Sequence, residues 1–188
     1  MLERGKFSRA AGLVIVMLLT AALLAGCAAS SYSVTVGSQA IESAPGYGKR
    51  YILAPFTGKA DPDSGNYKEY EGLVERLLAE KGYTTAASHE EADQLIIFGY
   101  DQLEYQEDVG ARPSYTHALI LVSLEVVRGD MEVRNKLWNV TAVNVGPEGD
   151  LHRIFPALVT AAKDYVGIET DGSVVVKVSA EDTARILE

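Results

Sequence analysis

The chain is poor in cysteine, in positive charge and in long apolar runs, and each shortage closes off a class of protein. One cysteine in 188 residues excludes a disulfide framework and any thiolate metal cage. Six prolines and 17 glycines are too few for a collagen-like or low-complexity chain. The first 26 residues hold Arg4, Lys6 and Arg9 against Glu3, which leaves 14 basic and 25 acidic side chains and a formal charge of −11 beyond them. With no basic cluster after residue 50, such a surface repels phosphate backbones and excludes a nucleic-acid partner. The longest uncharged apolar stretch, residues 10–25, is shorter than the ~20 residues a helix needs to cross a bilayer. Catalytic signatures are missing too. There is no Gly-x-Ser-x-Gly elbow, no phosphate-binding glycine loop that ends in Lys, and no two of the three histidines share a metal spacing.

A basic amino terminus followed by that 16-residue apolar stretch has the build of a secretory signal peptide. At its end, Leu24-Ala25-Gly26-Cys27 resembles the bacterial lipobox. The resemblance implies that the Cys27 thiol carries diacylglycerol, that the signal over residues 1–26 is cut before Cys27, and that the new amino group takes an N-acyl chain. Two or three acyl chains, at ~0.8 kcal/mol per buried methylene, hold a protein on a membrane without a spanning segment. Ala28 and Ala29 follow where lipoproteins retained in the inner membrane carry Asp, so resemblance to that sorting rule implies the periplasmic leaflet of an outer membrane. Beyond the acyl groups on Cys27, no cofactor is expected.

Residues 27–49, rich in Ser and Gly, read as the lipidated cysteine and a flexible tether of ~70 Å at full stretch. Tyr32, Val34 and Val36 alternate with small polar residues and leave open a short edge strand. From residue 50 to 188 the hydrophobic period switches repeatedly. Strands are expected over 51–56, 83–86, 95–105, 115–128, 132–145 and 174–178. Helices are expected over 67–81, 150–165 and 179–187, the second kinked or restarted at Pro156, and a short turn capped by Ser88 and Glu91. In the strand over 115–128, Ala118, Ile120, Val122, Leu124 and Val126 form an unbroken aliphatic stripe and are assigned to the core. Residues 95–98 read as a strand covered on both faces, and Gly129-Asp130 as a hairpin turn. The order predicts a single α+β domain: a mixed, mostly antiparallel sheet of five or six strands, helices on one face, and a partly wet opposite face.

Candidate functional residues are sparse. His89-Glu90-Glu91 with Asp93 reads as a solvated acidic turn, His117 as a structural histidine beside a possible groove, and His152 as a surface residue. Ten tyrosines are the compositional oddity. Tyr105 and Tyr115 flank the loop over 106–114 and are the candidate partner contacts, because a tyrosine ring offers a rigid surface with a polar tip. No catalytic residue and no metal ligand is assigned.

Residues 149–151 (Gly-Asp-Leu), Arg153, Phe155-Pro156, Ala161-Ala162-Lys163, Tyr165-Val166-Gly167 and Glu181-Asp182 resemble the end of a family of uncharacterised bacterial lipoproteins, a domain of unknown function. Lys81-Gly82-Tyr83 and Glu91-Ala92-Asp93 resemble that family's passage from helix to strand. The family carries no assigned activity, so the resemblance implies no catalytic residue here. The expected function is non-catalytic: a lipid-anchored module of the cell envelope that binds or assembles with another envelope protein. The alternatives are a carrier of a small apolar ligand and, less favoured, a small periplasmic hydrolase.

Overall fold

The computed structural model describes residues 31–42, 46–56, 61–105, 112–127 and 132–187, and Ser31–Glu188 forms one compact unit. Cys27, the lipobox, Gly129-Asp130 and residues 106–111 lie outside the described residues. Seven strands, β1 Ser31–Ala40, β2 Arg50–Pro55, β3 Thr84–Thr85, β4 Gln94–Tyr105, β5 Ser114–Val127, β6 Glu132–Gly146 and β7 Ser173–Ser179, make a single sheet in the order β3-β2-β4-β5-β6-β1-β7. The helices are α1 Gly65–Glu80, α2 Leu151–Ala162 and α3 Ala180–Leu187. The fold is therefore α+β. Its sheet has seven strands rather than five or six and is mixed, β2 running parallel to both β3 and β4 while the other four pairings are antiparallel.

The additional strand comes from the expected tether. β1 is neither a linker nor an edge: it lies between β6 and β7, with Val34 opposite Asn144 on one side and Val176 on the other. Its two-residue period explains the placement. Val34, Val36 and Ser38 are buried, whereas Ser33, Thr35 and Gln39 are exposed on the opposite face. The small polar residues that suggest a linker also hold the strand in place. The Ser38 hydroxyl lies 2.6 Å from the Ile168 carbonyl and 2.8 Å from that of Tyr165, and the Ser38 N–H donates to Thr170 Oγ1 at 2.9 Å. One serine thus ties β1 to the connection between α2 and β7.

Local chemistry accounts for the helices. Ser64 accepts from the Tyr67 N–H to start α1, whose apolar stripe buries Tyr67, Tyr70, Leu73, Val74, Leu77 and Leu78, and Gly82 at φ +79° ends the turn beyond it. Asp150 caps α2 through the His152 N–H. That helix runs unbroken through Pro156, so the restart that the proline suggests does not occur. The carbonyl deprived of a donor belongs to His152, an exposed residue where water can serve as the donor instead. Ser179 and Asp182 form a reciprocal capping box at α3, and those bonds hold the Asp182 carboxyl below its usual range. Around Ser88 no such box forms: its hydroxyl donates to Glu90, and His89–Glu91 is one 3-10 turn.

The three helices pack on one face of the sheet. Tyr70 and Phe155 stack at 4.1 Å, and both meet Phe98 or Tyr100 of β4, while Arg76 of α1 donates to the Ile186 carbonyl of α3 at 3.0 Å. Register then assigns every strand residue to a side. Ile96, Phe98, Leu119, Leu121, Trp138, Val140, Ala142, Val34 and Val36 lie beneath the helices, fully or almost fully buried. The aliphatic stripe of β5 points the other way. Ala118, Ile120, Val122, Leu124 and Val126 lie on the helix-free side and are half-buried, so their assignment to the core is corrected. For the same reason β4 is covered on one face rather than two: Ile96 and Phe98 are buried, Leu95 and Ile97 only half.

The position of β1 makes a truncation decisive. Residues 31–188 should unfold cooperatively in urea with Trp138 fluorescence as the reporter. Residues 50–188 should show no cooperative transition, because the loss of Val34 and Val36 from the core, at ~1.5 to 3 kcal/mol each, and of two strand ladders rivals the ~5 kcal/mol at the low end of domain stability. Equal midpoints for the two chains would return β1 to the status of a tether.

Candidate functional site

The helix-free face of the sheet has no helix against it among the described residues. Its rows follow the register across β4, β5 and β6: Ile97, Val122 and Asn139; Gly99, Ile120 and Thr141; Asp101, Ala118 and Val143; Leu103, Thr116 and Val145. Gly99 allows one further aromatic to lie across this surface, since a Cβ there would come within 2.7 Å of the Phe56 Cβ. Phe56, Leu103, Tyr105 and Val145 are each more than half exposed. Among the described residues no helix packs on this side, and only the 3-10 turn at His89 borders it. There, Ile52, Leu95, Ala92, Val126 and Val133 with His89 line an apolar hollow of about 100 Å³. The face thus joins half-buried Ile97, Ile120, Val122 and Val143 to the exposed Phe56, Leu103, Tyr105 and Val145.

The two tyrosines expected to form one contact do not share a face. Tyr105 pairs with Ser114 and Tyr115 with Glu104, so successive positions of β4 and β5 send the two rings to opposite sides of the sheet. Tyr105, on the helix-free face, is 63% exposed, and it alone of the ten tyrosines is exposed. Tyr115 is on the helix side, where its ring sits about 3 Å from where a Cβ on Gly149 would be and stacks on His117 at 6.3 Å. It clamps the connection from β6 into α2. Of the remaining eight, Tyr51, Tyr67, Tyr70 and Tyr83 are buried and Tyr32, Tyr47, Tyr100 and Tyr165 pack partly buried against the core, and burial pushes Tyr67 and Tyr70 up to about 12, so both phenols stay neutral. The tyrosine excess is thus spent on packing rather than on a contact surface.

None of the histidines assembles a reactive group. His117 is fully buried, and its Nε2–H donates to the Glu148 carbonyl at 2.8 Å, which leaves Nδ1 as a buried acceptor without a partner among the described residues. Together with Tyr115, and with the Gln102 amide that donates to the Gly149 carbonyl at 2.9 Å, it pins residues 148–149 ahead of the α2 cap. No pocket among those described is lined by His117. His89 is exposed, and His152 lies at the surface 3.5 Å from Glu69. Among the described residues no three His, Cys, Asp or Glu side chains converge as metal ligands. Two polar side chains beneath the helices are bonded to each other: Ser123 donates to Gln94 Oε1 at 2.6 Å, and the Gln94 amide donates to the Gly48 carbonyl at 2.7 Å.

No protein-family model matches the chain, and no curated protein matches it in sequence. Solved structures resemble it distantly. A PDZ domain protein from Parabacteroides distasonis aligns over 80% of this chain at 13% identity and a TM-score of 0.49, and the chain spans only 40% of that protein's length. A PelC dodecamer from Paraburkholderia phytofirmans aligns over 75% of this chain and 100% of its own at 12% identity and a TM-score of 0.41. A DUF4136 family protein from Bacteroides thetaiotaomicron aligns over 69% of this chain and 91% of its own at 13% identity and a TM-score of 0.41.

The separation of the two tyrosines is measurable. Tyr115→Ala should lower stability by about 2 kcal/mol, because it removes a ring packed on Gly149 and His117. Tyr105→Ala should change stability by less than about 0.5 kcal/mol, as a surface substitution does. Urea midpoints of the two variants that coincide, or that fall in the reverse order, would contradict these placements.

Proposed function

We propose that this chain is a lipid-anchored lipoprotein of the bacterial cell envelope that acts without catalysis, its helix-free sheet face receiving an envelope protein partner. The observation that carries the reading is the aliphatic surface of Ile97, Ile120, Val122 and Val143, rimmed by the exposed Phe56, Leu103 and Val145. A partner covering such a face removes apolar area from water at ~25 cal/mol per Å², and a standard interface buries ~800 Å² on each side. Anchorage rests on the lipobox-like Leu24-Ala25-Gly26-Cys27 and its place after the apolar stretch. Because β1 begins at Ser31, four residues after Cys27, an acylated Cys27 leaves a link of only ~14 Å at full extension, so the domain works at the bilayer surface. The absence of Asp after Cys27 favours the outer membrane in a two-membrane bacterium.

At this face the carrier reading is weaker on volume. The apolar hollow of about 100 Å³ is smaller than the ~150 Å³ cavity that admits benzene, far short of an acyl chain, and suited to a single partner side chain. A hydrolase would need His117 beside a cavity, and its Nε2 is occupied by a backbone carbonyl.

Two substitutions separate anchorage from binding. Cys27→Ser should leave an uncut precursor that takes up no labelled fatty acid. Val122→Lys should keep the processing and the urea midpoint of the parent while weakening partner capture from crosslinked envelopes by ~30-fold or more, as the loss of ~2 kcal/mol at an interface centre requires. A processed and labelled Cys27→Ser chain contradicts the anchor, and undiminished capture by Val122→Lys contradicts the face.

A further inference from the structure

A groove of about 530 Å³ runs between α1 and the edge strand β3, with Tyr51 at its floor, Gly72, Glu75 and Ala79 on the helix wall, and Thr84 and Thr85 on the strand wall. It lies apart from the helix-free sheet face, and its use depends neither on that face nor on the lipid anchor. Three observations converge on it.

The first is backbone polarity. The Thr84 N–H donates to the Lys49 carbonyl at 3.0 Å and the Ala86 N–H to the Tyr51 carbonyl at 2.8 Å. In a parallel ladder alternate residues bond to the same neighbour, so the N–H and C=O of Thr85 point away from β2 towards the open edge. The second is Gly72. Glycine is disfavoured in the middle of a helix, yet a Cβ at this position would meet nothing within 4 Å. Nothing inside the domain requires the missing side chain, and its effect is to keep the helix wall low where the groove passes. The third is charge. Glu71 and Glu75 stand one turn apart on α1 and take part in none of the ion pairs among the described residues. Burial and the neighbouring Glu75 hold the Glu71 carboxyl above its usual range, with Lys68 offsetting part of that effect. Arg76 also lines the groove and keeps its charge, but its guanidinium is drawn towards α3 by donation to the Ile186 carbonyl at 3.0 Å.

We propose that the α1–β3 groove is a strand-addition site for an extended peptide segment bearing Lys or Arg, whose main chain pairs with Thr85 while its cations meet Glu75 and Glu71. Strand addition at an exposed sheet edge draws affinity from main-chain hydrogen bonds and selectivity from alternate side chains. From Gly72 to Ala79 the helix rises ~10 Å, which accommodates about three extended residues. Side chains two apart on the added strand both face α1, one over Gly72 and one towards the carboxylate pair, so basic residues at alternate positions are selected.

The test uses the full-length chain purified in non-ionic detergent and a fluorescein-labelled, N-acetylated hexapeptide of alternating Lys and Val, followed by fluorescence anisotropy. Saturable binding is expected. Gly72→Leu, whose side chain fills the groove from open space and whose fold is checked by circular dichroism, should bind at least tenfold more weakly. Glu75→Gln and Glu71→Gln should each lose threefold or more. A peptide with Glu in place of Lys, and a Lys peptide N-methylated at alternate backbone nitrogens, should not bind. No saturable binding at millimolar peptide, equal binding to Gly72→Leu, or equal binding of the N-methylated peptide would each overturn the proposal, the last by reducing it to charge attraction alone.

Discussion

A two-layer domain can bury only one face of its sheet, and the distinctive features of this molecule depend on which face the helices take. They cover the chemically mixed side. Beneath them lie Ser123, Gln94 and His117 among the aromatic and aliphatic residues, each with a hydrogen bond of 2.6 to 2.8 Å, while His117 Nδ1 has no partner among the described residues. The side left without a helix is aliphatic along β5 but also carries Asp101, Thr116, Asn139 and Thr141. The connection β2–α1–β3 bears on that choice, because a crossover between parallel strands is right-handed in ~98% of cases. Strand order therefore fixes the side on which α1 packs, and the phase of each strand then decides which residues meet it.

The helix layer is held to that face by aromatic packing and by a few long-range polar ties. Tyr67 lies 5.3 Å from Phe98, and Tyr70 stacks on Phe155, so α1, α2 and β4 share one aromatic cluster. At the far end of the sheet, β1 carries the connection to β7 through Ser38, while at the entry to α2 the Gly149 segment is held by Tyr115, His117 and Gln102. These ties hold the sheet to the helix layer and leave the helix-free face without a helix among the described residues. The proposed function grows from that uncovered face.

Much of the architecture is legible in the amino-acid sequence because it depends on local chemistry. The stripe of Tyr70, Leu73, Leu77 and Leu78, the Asp150 cap and Gly82 locate the first two helices to within a few residues. Alternation likewise reveals which residues of β5 share a side. It does not say which side meets the helices, since that depends on partners such as Gln94 and Glu148, which lie some 30 residues away in the chain. β1 is hidden for a related reason: its outward residues, Ser33, Thr35 and Gln39, are as polar as a linker, and its inward serine finds partners more than 100 residues away. The candidate contact at Tyr105 and Tyr115 fails on parity, because a chain that reverses between two strands decides the facing of each ring by the register it closes with, and here that register separates them.

The central claim is that the helix-free face is exposed in the isolated chain and covered in the envelope. With Cys27 acylated, a cysteine placed at Val122 is the only free thiol, and maleimide labelling reports its accessibility directly. Rapid labelling of the purified protein and protection of at least tenfold in intact envelopes, with a control cysteine at exposed Ala184 of α3 labelled alike in both, is the predicted result. Equal labelling of position 122 in both settings would contradict the account.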